Sequence, residues 1–104
     1  MLNASINALL ISSQDNVAVA LVALHKGQCA VYSIPGTNMC GNTLLNEDVP
    51  VYHKFSIRMI EKNANIYKYG EIIGTAYYQI EEGQHVHLHN VLDKRGQLVL
   101  EGKT

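Results

Sequence analysis

His85, His87 and His89 occupy alternate positions in Gly83-Gln84-His85-Val86-His87-Leu88-His89-Asn90, and they are three of only five histidines. In an extended strand successive side chains point to opposite faces, so the three imidazoles would share one side. Their Cα atoms would stand about 6.6 Å apart, and Val86 and Leu88 would face a core on the other side. Imidazole titrates near neutrality and serves as a general acid, a general base or a metal ligand. Two ligands from one strand are therefore within reach, and spacing makes the three histidines equal candidates. A metal site normally needs further ligands, and the sequence offers no other clear cluster. Cys29-x10-Cys40 has neither the close pairing nor the partners of a zinc site. On spacing alone, the same histidines fit a solvent-facing polar strand side that does no chemistry better than they fit a site.

The elements that would carry these residues are short strands. Val17 to Leu24 is an apolar run of eight that ends at the turn His25-Lys26-Gly27. It predicts a strand buried on both faces, although Asp15 or Asn16 could cap a helix there. Cys29 to Ile34 predicts a second strand closed by Pro35-Gly36, and Thr37 to Asn42 reads as a loop. Thr43 to Asn46 offers a further short strand, while Pro50 keeps its neighbours out of a sheet centre. From Lys54 the chain alternates, placing Phe55, Ile57 and Met59 inward and Lys54, Ser56 and Arg58 outward. Ile66 to Ile80 is rich in β-branched and aromatic residues, with Gly70 and Gly74 marking a bend or bulge. Asp15-Asn16 suits side-chain to backbone hydrogen bonds that shape a turn. Asp93 to Gly96 is another turn, and Gln97 to Leu100 a last strand or tail. Many short strands spaced by turn signals predict a compact, mainly β domain with little helix.

At 104 residues the chain reads as one domain, 1–104, with a modest core and little room for a deep substrate cleft. A net charge of −1 argues against a nucleic-acid or anionic-membrane partner, which needs clustered Lys and Arg. The longest apolar run falls far short of the roughly 20 residues of a membrane span. The N-terminus lacks the basic start of a secretory signal. Two cysteines are too few for a disulfide framework and read as reduced thiols of a cytoplasmic protein.

Five motifs then appear in order: Asp15-Asn16-Val17-Ala18-Val19-Ala20-Leu21, His53-Lys54-Phe55, Lys68-Tyr69-Gly70, Ile73-Gly74 and Val86-His87-Leu88-His89-Asn90. Together they resemble the SAF domain of the altronate dehydratase (altronate hydrolase) family, also seen as the small subunit of sulfolactate sulfo-lyase. The resemblance covers about residues 15–90 and leaves 91–104 as a C-terminal strand or tail. It implies a β-clip fold and a carbon–oxygen lyase that eliminates water from an aldonate in hexuronate catabolism. The product would be a 2-keto-3-deoxy acid. Two departures stand out. The residue before His53, usually glycine in this family, is Tyr52, which leaves the local turn open. His85 falls where the family varies and inherits no role.

The resemblance further implies a divalent cofactor, Fe2+ or Mn2+, held mostly by a large catalytic portion. It makes His87 and His89 the catalytic and metal-contacting candidates. His53, Lys54, Lys68 and Asn90 become the substrate-binding candidates. Lys54 suits a carboxylate partner as a compact mobile cation, though on periodicity alone it is equally a solvated lysine. Lys-Tyr-Gly is read first as a turn. Family enzymes carry a large portion after this domain, so the expected partner is a large catalytic subunit, or the same portion of a longer chain, with homo-oligomerisation left open. A sulfolactate sulfo-lyase-like small subunit is the rival within the lyases. A non-catalytic module that binds a sugar acid or metal, or docks on another protein, is the rival from another class.

Overall fold

The computed structural model describes residues 5–97, and among them there are nine strands and no helix. Six strands form one sheet in the order β4 (Cys40–Leu44), β3 (Cys29–Ser33), β1 (Ala8–Leu9), β2 (Val17–Ala20), β5 (Lys54–Ser56) and β8 (His85–Val86). β1 and β3 run parallel and the other neighbours antiparallel. A second sheet places β7 (Glu71–Ala76) between β6 (Asn65–Lys68) and β9 (Val91–Leu92). The expected mainly β domain with little helix is therefore observed. The strand or tail expected over Gln97 to Leu100 lies, beyond Gln97, outside the described residues.

Two apolar clusters fill the interior. Leu10, Ala18, Leu24, Leu45, Val49 and Phe55 anchor the first; Val17, Ile60, Ile66, Ile80, Val86 and Val91 anchor the second. Val17 and Ala18 are successive residues of β2 and belong to different clusters, so this strand divides them. Burial of both faces matches the reading of the Val17 run, but the strand is half as long as expected. It stops at Ala20, and Leu21 and Val22 are exposed. Backbone bonds from Leu21 N–H to Asn7 O and from Tyr52 N–H to Ala20 O take the chain out of the ladder. Leu24 then re-enters the core through a bridge to Val49.

The supposed loop over Thr37 to Asn42 is also corrected, because Cys40–Leu44 forms a hairpin with β3. Gly41, which made the stretch look irregular, lies opposite Tyr32; a Cβ there would come within 2.6 Å of the Tyr32 hydroxyl. The glycine belongs to a strand so that the phenol can lie across it. Cys29 and Cys40 sit at opposite ends of this hairpin as free, exposed thiols.

The strand expected from Lys54 to Met59 is only three residues long, and the expected alternation of burial and exposure is absent from it. Lys54, Phe55 and Ser56 are all buried because β5 lies between β2 and β8, while Met59 is exposed. The irregularity foreseen near Gly74 is present as a register shift, with Ile66 opposite Gly74 and Tyr67 opposite Ile72.

Candidate functional site

The histidine segment is a strand only at His85–Val86; from His87 to Asn90 it turns. Asn90 forms that turn. Its side-chain oxygen accepts the His87 N–H at 2.9 Å, and its side-chain NH2 donates to the His85 carbonyl at 2.8 Å. The residue is fully buried and its backbone carbonyl accepts from Tyr77. Asn90, expected to bind substrate, is thus placed behind the histidines with its amide engaged at both ends. It holds their geometry.

Strand pairing brings in a histidine from elsewhere. β5 and β8 match Lys54 with Val86 and Phe55 with His85, and one further step of that register sets His53 opposite His87. The His53 and His87 rings stack with centroids 4.1 Å apart, and His53 Nδ1 lies 2.8 Å from His85 Nε2. One ring nitrogen from each of His53, His85 and His87 lies within 4.8 Å of the other two, the one such group of three among the described residues. His89, expected beside His87 as a ligand, stands at the exposed edge with its ring 5.4 Å from that of His85. His85, to which the resemblance gave no role, is inside the group.

Electrostatics disfavour the charged form of two members, His85 and His87. Burial pushes the His85 imidazole down to about 4, and the neighbouring His53, His89, His87 and Lys54 push in the same direction. His87 is lowered by burial, then by His53, Lys54 and His89. Neutral imidazoles keep a lone pair, the form a metal ion requires. His87 Nδ1 is buried without a hydrogen-bond partner. An orphaned buried nitrogen is costly and calls for an explanation. A cation shared with His53 and His85 would supply one, and imidazole donors suit iron. By this donor set and this orphaned atom, the residues fit the metal that the resemblance implies.

Lys54 is 5% exposed. Its position in the register is opposite Val86, on the other face of β5 from Phe55, yet its charge is felt by His85 and His87. Burial and the nearby charge of Lys68 lower its amine to about 8. It takes part in neither of the two ion pairs found among the described residues. The outward, solvated lysine that periodicity allowed is therefore replaced by a buried cation without a counter-charge.

Lys68 is half-buried, with its ammonium 5.0 Å from the centre of the Tyr69 ring. The turn beside it rests on Asp15, whose carboxylate accepts from Tyr69 N at 2.9 Å and Gly70 N at 2.8 Å. Tyr69 and Gly70 both have positive φ, 60° and 75°, the requirement of a two-residue hairpin of type I′. Asn16 adds a bond from its side chain to Asn65 O and accepts one from Tyr67 N. Asp15 makes the local turn expected of it, accepting the Ser12 N–H at 3.1 Å, and with Asn16 it also holds a hairpin about fifty residues away. Tyr52 completes the surroundings. It keeps a tight turn before His53 with φ 67°, and its side chain is 72% exposed.

This arrangement can be set against known proteins. Residues 6–94 match the family model of the altronate/galactarate dehydratase SAF domain. The chain belongs to that family. The SAF domain here is 42% identical over 80 residues to the altronate dehydratase of Escherichia coli, and 35% identical over 81 residues to that of Bacillus subtilis. Each match covers 77% of this chain but only 15% of the relative. The alpha subunit of (2R)-sulfolactate sulfo-lyase from Chromohalobacter salexigens is 29% identical over 92 residues, which span 88% of this chain and 98% of that subunit. The SAF domain carries no helix long and apolar enough to cross a membrane among the described residues.

Proposed function

We propose that this SAF domain is one wall of the active site of an altronate dehydratase-like lyase that removes water from an aldonate, in the cytoplasm, and that a large catalytic portion supplies the remainder. The observation that carries the reading is the convergence of His53, His85 and His87, with an orphaned nitrogen, beside a buried lysine that has no counter-charge among the described residues.

In such a reaction the C2 proton leaves, the C3–O bond breaks, and the hydroxyl departs as water. The resulting enol then tautomerises to a 2-keto-3-deoxy acid. The proton beside a carboxylate is weakly acidic, so fixed positive charge must stabilise the enolate-like transition state. Lys54 and Lys68 provide that charge; burial first and Lys68 second lower the Lys54 amine, and a carboxylate between the two lysines offsets both. His89, at the exposed edge beside His85, hands a proton to the departing hydroxyl. His53, His85 and His87 would hold Fe2+ or Mn2+, which supplies Lewis-acid polarisation of substrate oxygens when bound. With these three so engaged, the base that accepts the C2 proton falls to the large portion. Asn90 and Asp15 position the histidine turn and the Lys68 hairpin without touching substrate.

A second reading has its own support. Because the chain matches 98% of a sulfolactate sulfo-lyase alpha subunit, the same wall would serve in a two-subunit enzyme that expels sulfite. A chimera separates the readings. In E. coli altronate dehydratase, the matched stretch is replaced by this chain, and elimination is assayed on altronate and on (2R)-sulfolactate. Turnover of altronate that falls at least a hundredfold on His53→Ala or Lys54→Met supports the dehydratase reading. A folded, metal-loaded chimera indifferent to both substitutions would overturn it.

A further inference from the structure

An open, shallow depression of about 490 Å³ adjoins the histidine group, lined by Lys26, Asn46, Glu47, Asp48, His85 and His89. Its three consecutive polar residues are each fixed at one end. Asn46 donates its side-chain NH2 to Glu82 O at 3.2 Å. Glu47 Oε1 accepts the His85 N–H at 2.9 Å, and Asp48 Oδ1 accepts the Lys26 N–H at 2.9 Å. The other ends, Asn46 Oδ1, Glu47 Oε2 and Asp48 Oδ2, make no hydrogen bond to the described residues, and neither does the Lys26 ammonium. A row of anchored acceptors with one donor beside it is pre-organised to receive hydroxyl groups.

From this depression, and resting on the lyase reading above, we propose that Asn46, Glu47, Asp48 and Lys26 form the subsite for the hydroxylated tail of a sugar acid, with the reacting carbons over the histidines. The charge pattern sets the orientation. Two carboxylates, against the Lys26 ammonium and the His25 ring whose Nδ1 lies 3.9 Å from Asp48 Oδ1, disfavour the anionic end of the substrate here and direct it toward Lys54 and Lys68. The neutral polyol end meets no such penalty. His85 joins the two regions, since its ring belongs to the histidine group and its backbone N–H is held by Glu47. The subsite therefore selects aldonates with carbons beyond C3 over three-carbon acids.

The test uses the full ¹⁵N-labelled chain titrated separately with D-altronate and with D-glycerate, which has the carboxylate and the 2-hydroxyl but no tail. Both acids should shift amides near His53 and Lys54, and only altronate should also shift those of Glu47, Asp48 and His89. Lys26→Ala keeps the backbone N–H that holds Asp48; it and Asp48→Ala should each weaken altronate about fivefold and leave glycerate unchanged. Equal binding of the two acids, or variants that do not alter altronate, would overturn the subsite while leaving the lyase reading intact. Absence of any shift near His53 and Lys54 with either acid would overturn both.

Discussion

Lys54→Met should make the domain more stable while removing its function. The fall of the Lys54 amine from 10.5 to about 8 corresponds to roughly 3 kcal/mol against the charged form. The effective dielectric around an ammonium in a folded protein, well above that of a dry interior, brings this to about 2 kcal/mol. The folded-state value lies below the unfolded one, so the sign is that of a cost. Below pH 8 both states carry the proton and the cost is complete. Between pH 8 and 10.5 the unfolded chain keeps a proton that the folded chain has lost, and stability rises with pH. Methionine has similar length, no charge, and Val86 as its neighbour across the register. It should raise the unfolding free energy at pH 7 by about 2 kcal/mol and abolish the wild-type gain between pH 8 and 10.5. Urea unfolding followed by circular dichroism is the assay, since the chain has no tryptophan. Subtracting variant from wild type cancels the tyrosine titrations. A methionine variant less stable at pH 7, or a difference independent of pH, would refute the reasoning.

Three further perturbations probe the surroundings. His85 has a folded-state value near 4, below the ordinary 6.5, so wild-type stability should fall as pH drops from 6.5 to 4, and His85→Gln should flatten that fall in acid unfolding curves. Asn90→Ala leaves the His87 N–H and the His85 carbonyl without their buried partner and should cost about 3 kcal/mol in urea unfolding; a loss near zero would mean that the turn closes without it. Tyr52→Gly removes a bulky residue from a left-handed backbone and little packing, so it should gain about 1 kcal/mol; a destabilised variant would show that the tyrosine packs in solution.

The fold was legible because its signals are local. Turn residues punctuate short β-branched and aromatic runs, and Pro35-Gly36 and Tyr69-Gly70 mark turns that the chain makes. What local pattern could not supply was register. The alternation of His85, His87 and His89 suggested a ligand pair within one strand, whereas pairing of β5 with β8 supplies His53 and sets His89 at the edge. No spacing in the sequence encodes that match; the nearest signal was two histidine-bearing segments with valine or lysine alternating beside them. Lys54 was misjudged for a related reason, because a central strand buries both faces and alternation stops predicting exposure. Asp15 was read as forming backbone bonds, and it does, but its targets at Tyr69 and Gly70 become visible only when the chain has folded. Gly41 hid a strand because the ring that covers it lies on the neighbouring strand.

In the proposed site His53, His85 and His87 act as one unit. The most direct measurement is histidine side-chain NMR of the full chain during titration with Zn2+, a diamagnetic probe of imidazole donors. Resonances of His53, His85 and His87 should move together and saturate at one ion per chain, while His25 stays fixed and His53→Ala removes the response. Scattered, unsaturable shifts, or a response led by His25 or His89 that survives His53→Ala, would contradict it.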